Sequence, residues 1–149
     1  MLMCGLIILT VCAVDAVGYV WHRFVAHGDT FVARPHKRHH EDDYPPQHFF
    51  SETYRANYDP AWYVPAAIVV AAILALPLGL WTRGAMVSVA VAYALVLNGL
   101  HWRFHIQGHP WLKWGWYQDL VRYHIRHHHM NANYGIVAFV MDRLMGTWR

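Results

Sequence analysis

The sequence predicts an all-α integral membrane protein: three or four transmembrane or interfacial helices with a cytoplasmic histidine-rich cap. Three observations carry that expectation. The chain is 56% hydrophobic and only 14% charged, where an ordinary soluble domain carries about 25% charged residues. Its apolar residues gather into runs long enough to cross a bilayer. Its thirteen histidines lie at the ends of those runs or between them. At 149 residues the whole chain, 1–149, reads as one membrane-embedded domain.

The first run, residues 2–21, holds a single charge, Asp15. It lacks a basic leading region and a small-x-small cleavage site, so it reads as a retained helix and not a removed signal. The second, 61–81, is uncharged, and Pro65 and Pro77 near its ends are tolerable in a membrane helix. The third, from Ala85 to Leu100, is uncharged and extends through His105. The expected spans are therefore about 2–21, 61–81 and 85–105, each near the roughly 20 residues a crossing needs. Thr82-Arg83-Gly84 reads as a tight turn between two antiparallel spans. A fourth helix, pressed into the membrane without crossing it, is expected within 111–123. There Trp111, Trp114, Trp116 and Tyr117 with Lys113 resemble an interfacial aromatic belt or a lid over a lipid entrance.

Threading these spans puts residues 21–60 and 101–149 on the same side. All thirteen histidines fall there, with eleven of the twelve Lys and Arg residues; Arg83 alone lies opposite. By the positive-inside rule that side is the cytoplasm. The net charge of +3 gives no reason to invoke nucleic acid. Cys4 and Cys12 make neither a disulfide framework nor a CxxC metal knuckle.

The chemistry lies in four histidine boxes: His22-Arg-Phe-Val-Ala-His27, His36-Lys-Arg-His39-His40, His101-Trp-Arg-Phe-His105 and His124-Ile-Arg-His127-His128. Residues three or four apart share a helical face, so three of the boxes can each point two or three nitrogens at one spot. His22 and His27 are five apart, which needs a π-bulge, a helix end near Gly28, or two different metals as targets. Imidazole suits iron, zinc, copper and nickel. Ten ligands are too many for one metal and reasonable for two, at roughly five each, and two close metals can activate a small molecule between them. Carboxylates should support the ligands from behind; Glu41, Asp42, Asp43, Asp119 and Asp142 are the candidates, with the run 41–43 read first as a solvated loop. A histidine taken singly is more often a surface or packing residue, and His48, His109 and His129 are read that way.

Two polar residues in the spans stand out. Asp15 precedes His22 by seven residues on roughly the same helical face, and an intramembrane acid is a functional candidate by default. It either orients a ligand, lines a substrate cavity, or simply bonds Tyr19 or Asn98. Asn98 lies three residues before His101; it supports the ligands or joins helices, as polar residues in membranes often do.

The boxes HRFVAHG (22–28), HKRHH (36–40), HWRFH (101–105) and HIRHHHMNANYG (124–135), followed by Asp142-Arg-Leu-Met-Gly-Thr147, resemble the fatty acid hydroxylase superfamily of membrane proteins. That group includes sterol desaturases and bacterial carotenoid hydroxylases. The resemblance implies two Fe ions, with Zn as another possible occupant, O2 as co-substrate, and hydroxylation or desaturation of a lipid C–H bond. It also implies an external electron donor of the ferredoxin or cytochrome b5 type, since nothing in the sequence binds haem, flavin or an iron–sulfur cluster. By position the implied ligands are His22, His27, His36, His39, His40, His101, His105, His124, His127 and His128. The chain shows three spans where relatives usually have four, and His129 lengthens the last box.

Three other classes compete. A non-catalytic metal-handling protein would want polar sites within the spans. A zinc hydrolase usually keeps three protein ligands and an open position, and no HExxH appears. An inactive relative would not need intact boxes. Hydroxylation of a fatty acid, sterol or carotenoid is the favoured expectation, with desaturation on the same metals as the alternative.

Overall fold

The computed structural model describes residues 2–55 and 60–149. Among them every regular element is helical, and the one β-type contact is an isolated bridge between Ser51 and Ile106. In chain order the helices are α1 (Leu2–Val20), α2 (Arg34–Arg38), α3 (Val64–Ala75), α4 (Leu80–Phe104), α5 (Gly115–His129) and α6 (Val140–Leu144). α1 runs on as a π-helical turn, Trp21–Ala26, and α2 as another, His39–Asp43.

Among the described residues two helices are long and apolar enough to cross a membrane: Leu2–Ala26 and Leu80–Phe104, each of 25 residues. At 1.5 Å per residue each reaches roughly 37 Å, more than the roughly 30 Å hydrocarbon core. Their outward faces are apolar. Ile8, Leu9, Leu80, Trp81, Leu95 and Val96 are all exposed, a surface that suits lipid and not water.

The middle of the predicted topology needs correction. The expected span 61–81 is the shorter helix α3, twelve residues long, roughly 18 Å by the same rise. It stops where Leu76 turns extended, because Pro77 disfavours helical geometry in the residue before it. Leu76–Gly79 makes the connection, and Thr82-Arg83-Gly84 is not a turn but the first part of α4. Arg83 still sits at this far end, where its Nη1 donates to the Leu74 carbonyl at the end of α3 (3.0 Å).

α1, α3 and α4 pack on one another around Val14, Val69, Ile73, Met86 and Ala90. A second core, of Phe49, Phe104, Tyr117, Leu120 and Val121, lies under the polar cap. Helix α5 explains how it forms. Its buried residues Tyr117, Leu120, Val121, His124, His127 and His128 recur at helical spacing, so one face carries the apolar anchor first and the histidines after it. The fourth helix expected within 111–123 is thus this one, starting at Gly115 after a short 3₁₀ turn, Pro110–Lys113, and ending at the last histidine box.

Candidate metal centre

The ends of α1 and α4, the α2 segment and α5 converge at one end of the bundle. Their histidines form two adjoining groups: His22, His27, His36, His40 and His127; and His39, His105, His124 and His128. Within each group the candidate ligand atoms lie within 4.8 Å of one another.

The π-helical turns make this possible. In the first, the His27 amide donates to the His22 carbonyl (3.3 Å), the i to i+5 pattern of a π-helix. That wider turn brings residues five apart onto one face, and it answers the odd spacing of the first box. Gly28 closes it: a Cβ there would meet the Phe24 carbonyl oxygen at 2.8 Å. In the second, the Tyr44 amide donates to the His39 carbonyl (2.9 Å).

The boxes do not each serve one spot, as their spacing alone suggests. In both HxxHH boxes the pair four apart stays together and the middle histidine leaves. His36 and His40 join the first group while His39 joins the second; His124 and His128 join the second while His127 joins the first. His101 stands beside the second group, its ring 4.8 Å from that of His39 and 4.7 Å from that of His124. The groups touch where His40 stacks on His128, ring centres 3.9 Å apart.

Four rings are held from behind by backbone carbonyls. Nδ1 of His22 donates to Tyr134 O (2.6 Å), that of His105 to Phe49 O (3.1 Å), that of His127 to Ala132 O (2.8 Å) and that of His128 to Tyr44 O (2.9 Å). A carbonyl only accepts, so each bond places the ring proton on Nδ1. In the neutral ring the Nε2 lone pair is then left facing inward. The Nε2 atoms crowd together: His22 to His36 at 3.1 Å, His36 to His27 at 2.9 Å, His27 to His127 at 3.2 Å, His105 to His124 at 3.1 Å. Neighbouring donors about 2.1 Å from one metal ion stand roughly 3 Å apart at a right angle. Nε2 of His40 and His128, and both ring nitrogens of His39 and His101, are buried with no hydrogen-bond partner among the described residues. A buried polar atom without a partner is costly, and a bound cation would remove that cost. The donor set therefore fits metal.

Electrostatics points the same way. Burial first, and neighbouring imidazoles second, hold His36, His39 and His124 well below the usual histidine pKa. The same two causes act on His127. His27 is lowered to about 4 by burial and by Lys37; His128 is lowered to about 2, mainly by burial. The rings stay neutral, as metal ligands must.

Asp119 and Asp142 do not stand behind the ligand rings as expected, whereas Glu41 and Asp42 are solvated, as the sequence favours. Asp119 sits on the outer face of α5, paired with Arg122 (3.4 Å) and half exposed, because its side of that helix is the solvated one. Glu41 and Asp42 are exposed, and Asp43 pairs with Arg38 (3.7 Å). Asp142 is fully buried but touches no imidazole. Its two oxygens accept from the Tyr134 and Gly135 amides (both 2.8 Å) and from Thr147 Oγ1 (2.7 Å). It thereby holds in place the loop whose Tyr134 carbonyl receives His22. A Cβ on Gly135 would lie 2.7 Å from Ala138 O and 3.0 Å from Asp142 Oδ2, so the loop closes this tightly only with glycine.

Asp15 bonds neither Tyr19 nor Asn98; both its oxygens accept from Tyr93 Oη (2.9 and 3.0 Å). It lines a cavity of ≈ 60 Å³ between α1, α3 and α4 whose apolar walls include Val14, Ala66, Ala94 and Leu97, and whose far end is His22 and His101. Asn98 lines the same cavity and donates through Nδ2 to Tyr63 Oη (2.6 Å). On the opposite side a polar opening of ≈ 280 Å³ reaches His27, His40, His127 and His128 past Lys37 and Glu41. His48 and His129 are exposed, and His109 caps the turn before α5, accepting from the Trp111 amide (3.3 Å).

Sequence reasoning missed three aromatic residues. Trp62 packs on His101 (4.6 Å), His36 (5.3 Å) and His22 (5.6 Å), the Tyr44 ring stacks on His105 at 4.0 Å, and Tyr134 lies 5.3 Å from His127. Tyr134 was within a quoted box; nothing in the local sequence distinguishes Trp62 from the chain's other tryptophans.

A family model describing fatty acid hydroxylases matches residues 7–147, and the chain belongs to that family. No curated protein and no solved structure matches it.

Proposed function

We propose that this fatty acid hydroxylase family member is a membrane oxidoreductase that holds two irons and uses O2 to hydroxylate a C–H bond of a lipid. The observation that carries the reading is the pair of adjoining histidine groups, with inward-facing Nε2 atoms, at the end of an apolar cavity. His22, His27, His36, His40 and His127 would hold one iron; His39, His105, His124 and His128, with His101 beside them, the other. Bound there, the irons would supply oxygen activation: one atom of O2 enters the C–H bond and the other leaves as water. Two electrons come from an external donor of the ferredoxin or cytochrome b5 type, and two protons from solvent.

The chain's own residues provide the rest. The carbonyls of Tyr134, Phe49, Ala132 and Tyr44 fix four ring orientations. The apolar walls at Val14, Ala66, Ala94 and Leu97 admit a lipid from the side, between the helices, and exclude water from the reacting carbon. The polar opening past Lys37 and Glu41 gives protons a separate aqueous approach. Basic residues gather at the histidine end, which supports a cytoplasmic face for it.

Metal content of protein purified in detergent without added metal tests the reading, together with lipid extracts of expressing cells. About two irons per chain, and lipids heavier by one oxygen, are expected. Stoichiometric zinc that iron cannot replace would overturn it.

A further inference from the structure

The cavity that ends on His22 and His101 is not uniformly apolar. Asn98 is 7% exposed, and with Nδ2 committed to Tyr63 its Oδ1 is buried with no partner among the described residues. Asp15 lines the same cavity and presents two further oxygens, for which the described residues supply one donor, Tyr93. A carboxylate can accept more bonds than that. This wall is therefore rich in acceptors. Among the described residues no Lys or Arg lines the cavity, so no side-chain cation would offset a ligand carboxylate beside Asp15.

From these groups we infer that the cavity selects a lipid bearing a neutral hydroxyl, an alcohol and not a free fatty acid or a plain hydrocarbon, with Asn98 Oδ1 receiving the hydroxyl proton. The inference rests on the cavity being the substrate site proposed above. Burying an acceptor without a donor is costly, so a site built to bond a hydroxyl rejects the analogue lacking one. Asn98 lies three residues before His101, roughly 4.5 Å along the helix axis. The oxidised carbon is then only a few bonds from the hydroxyl. At ≈ 60 Å³ the cavity is well under the roughly 150 Å³ that accepts a benzene ring; the polar end and a few carbons enter, and the tail stays in the bilayer.

The test is photo-crosslinking in nanodiscs, with the full chain and an octadecanol carrying a diazirine near its hydroxyl. Labelled peptides are read by mass spectrometry, with unlabelled octadecanol, octadecanoic acid or octadecane as competitors. Labelling should fall in residues 14–21 or 94–101, and octadecanol should suppress it about tenfold better than the acid or the alkane. Asn98→Leu, or Asn98→Ala if the leucine variant does not fold, should abolish that preference; the wild-type competition stands independently of either. Equal competition by the alkane or the acid, labelling outside the cavity, or a preference that survives loss of Asn98 would overturn the inference. Metal content and turnover are measured on the same preparation. Alcohol-selective labelling without iron would sink the oxygenase reading and leave the selectivity standing.

Discussion

The two histidine groups share the second and fourth boxes but are placed in different surroundings. The group of His39, His105, His124 and His128 is wholly buried. It is walled by Phe49, Phe104 and Tyr44, with Phe49 4.4 Å from the His105 ring and Phe104 5.4 Å from that of His124. The group of His22, His27, His36, His40 and His127 has two partly exposed members, His27 and His40, and both border the polar opening. One group is part of a core; the other is a junction between water and the lipid-side cavity. The difference teaches that ligand count and spacing do not set accessibility. Packing behind the rings does.

The sharpest way to probe that contrast is to remove one ring from each group. His127→Ala should abolish turnover and lower iron to about one per chain, because one group loses a ligand while the other keeps its own. His124→Ala should abolish turnover too, and both variants should lower thermal stability, by roughly 2–4 kcal/mol each as large-to-small changes of buried side chains. Full turnover in His127→Ala would overturn the metal assignment.

Next in size is Asp142→Ala. It removes the acceptor for two backbone amides and so frees the loop that presents Tyr134 O to His22. Metal affinity at the junction group should fall about 10- to 100-fold, the usual cost of losing an outer support, with the buried group unchanged. Iron titration followed by a spectroscopic signal from each site would separate them; equal losses at both would break the comparison.

Acidity should act more gently. In the metal-free fold His27 and His128 are neutral down to about 4 and about 2, while the unfolded chain takes up protons below the ordinary histidine value of 6.5. The unfolded state then binds more protons, so stability falls as pH drops below about 6.5 and continues to fall until the folded rings protonate. Melting temperature of metal-free protein between pH 7.5 and 5 measures this; a flat profile would contradict the burial of the rings. The smallest effect belongs to Asp119→Ala, which should change stability by no more than about 0.5 kcal/mol and leave metal content intact, since it pairs with the exposed Arg122 on the solvated face of α5.

Much of this arrangement was legible in advance. The long uncharged runs imply membrane-length helices, because no soluble surface would expose Ile8, Leu9 and Leu95 together. Boxes spaced by three and four imply rings on shared helical faces. The position of the histidines at the ends of those runs implies that they meet, since antiparallel threading brings those ends to one side. Apolar periodicity therefore determined the helical class, and the clustered spacing marked out ten histidines, nine of which fall in the two groups.

Only the tertiary structure decided the partition. His39 and His40, or His127 and His128, are adjacent in sequence, and adjacent residues on a helix point about 100° apart. Which direction meets which neighbour depends on how α2 and α5 dock, and that has no local signature. The π-helical turn uniting His22 and His27 was one of three local solutions, and the packing of α1 against its neighbours selected it. The stop at Pro77 displaced the expected turn. The carbonyls that orient the rings, Tyr134 to His22 and Tyr44 to His128, come from residues 112 and 84 positions away in the chain. The physical reason is the same each time: a side chain's face is set by local backbone geometry, while its partner is set by the contacts that bury it.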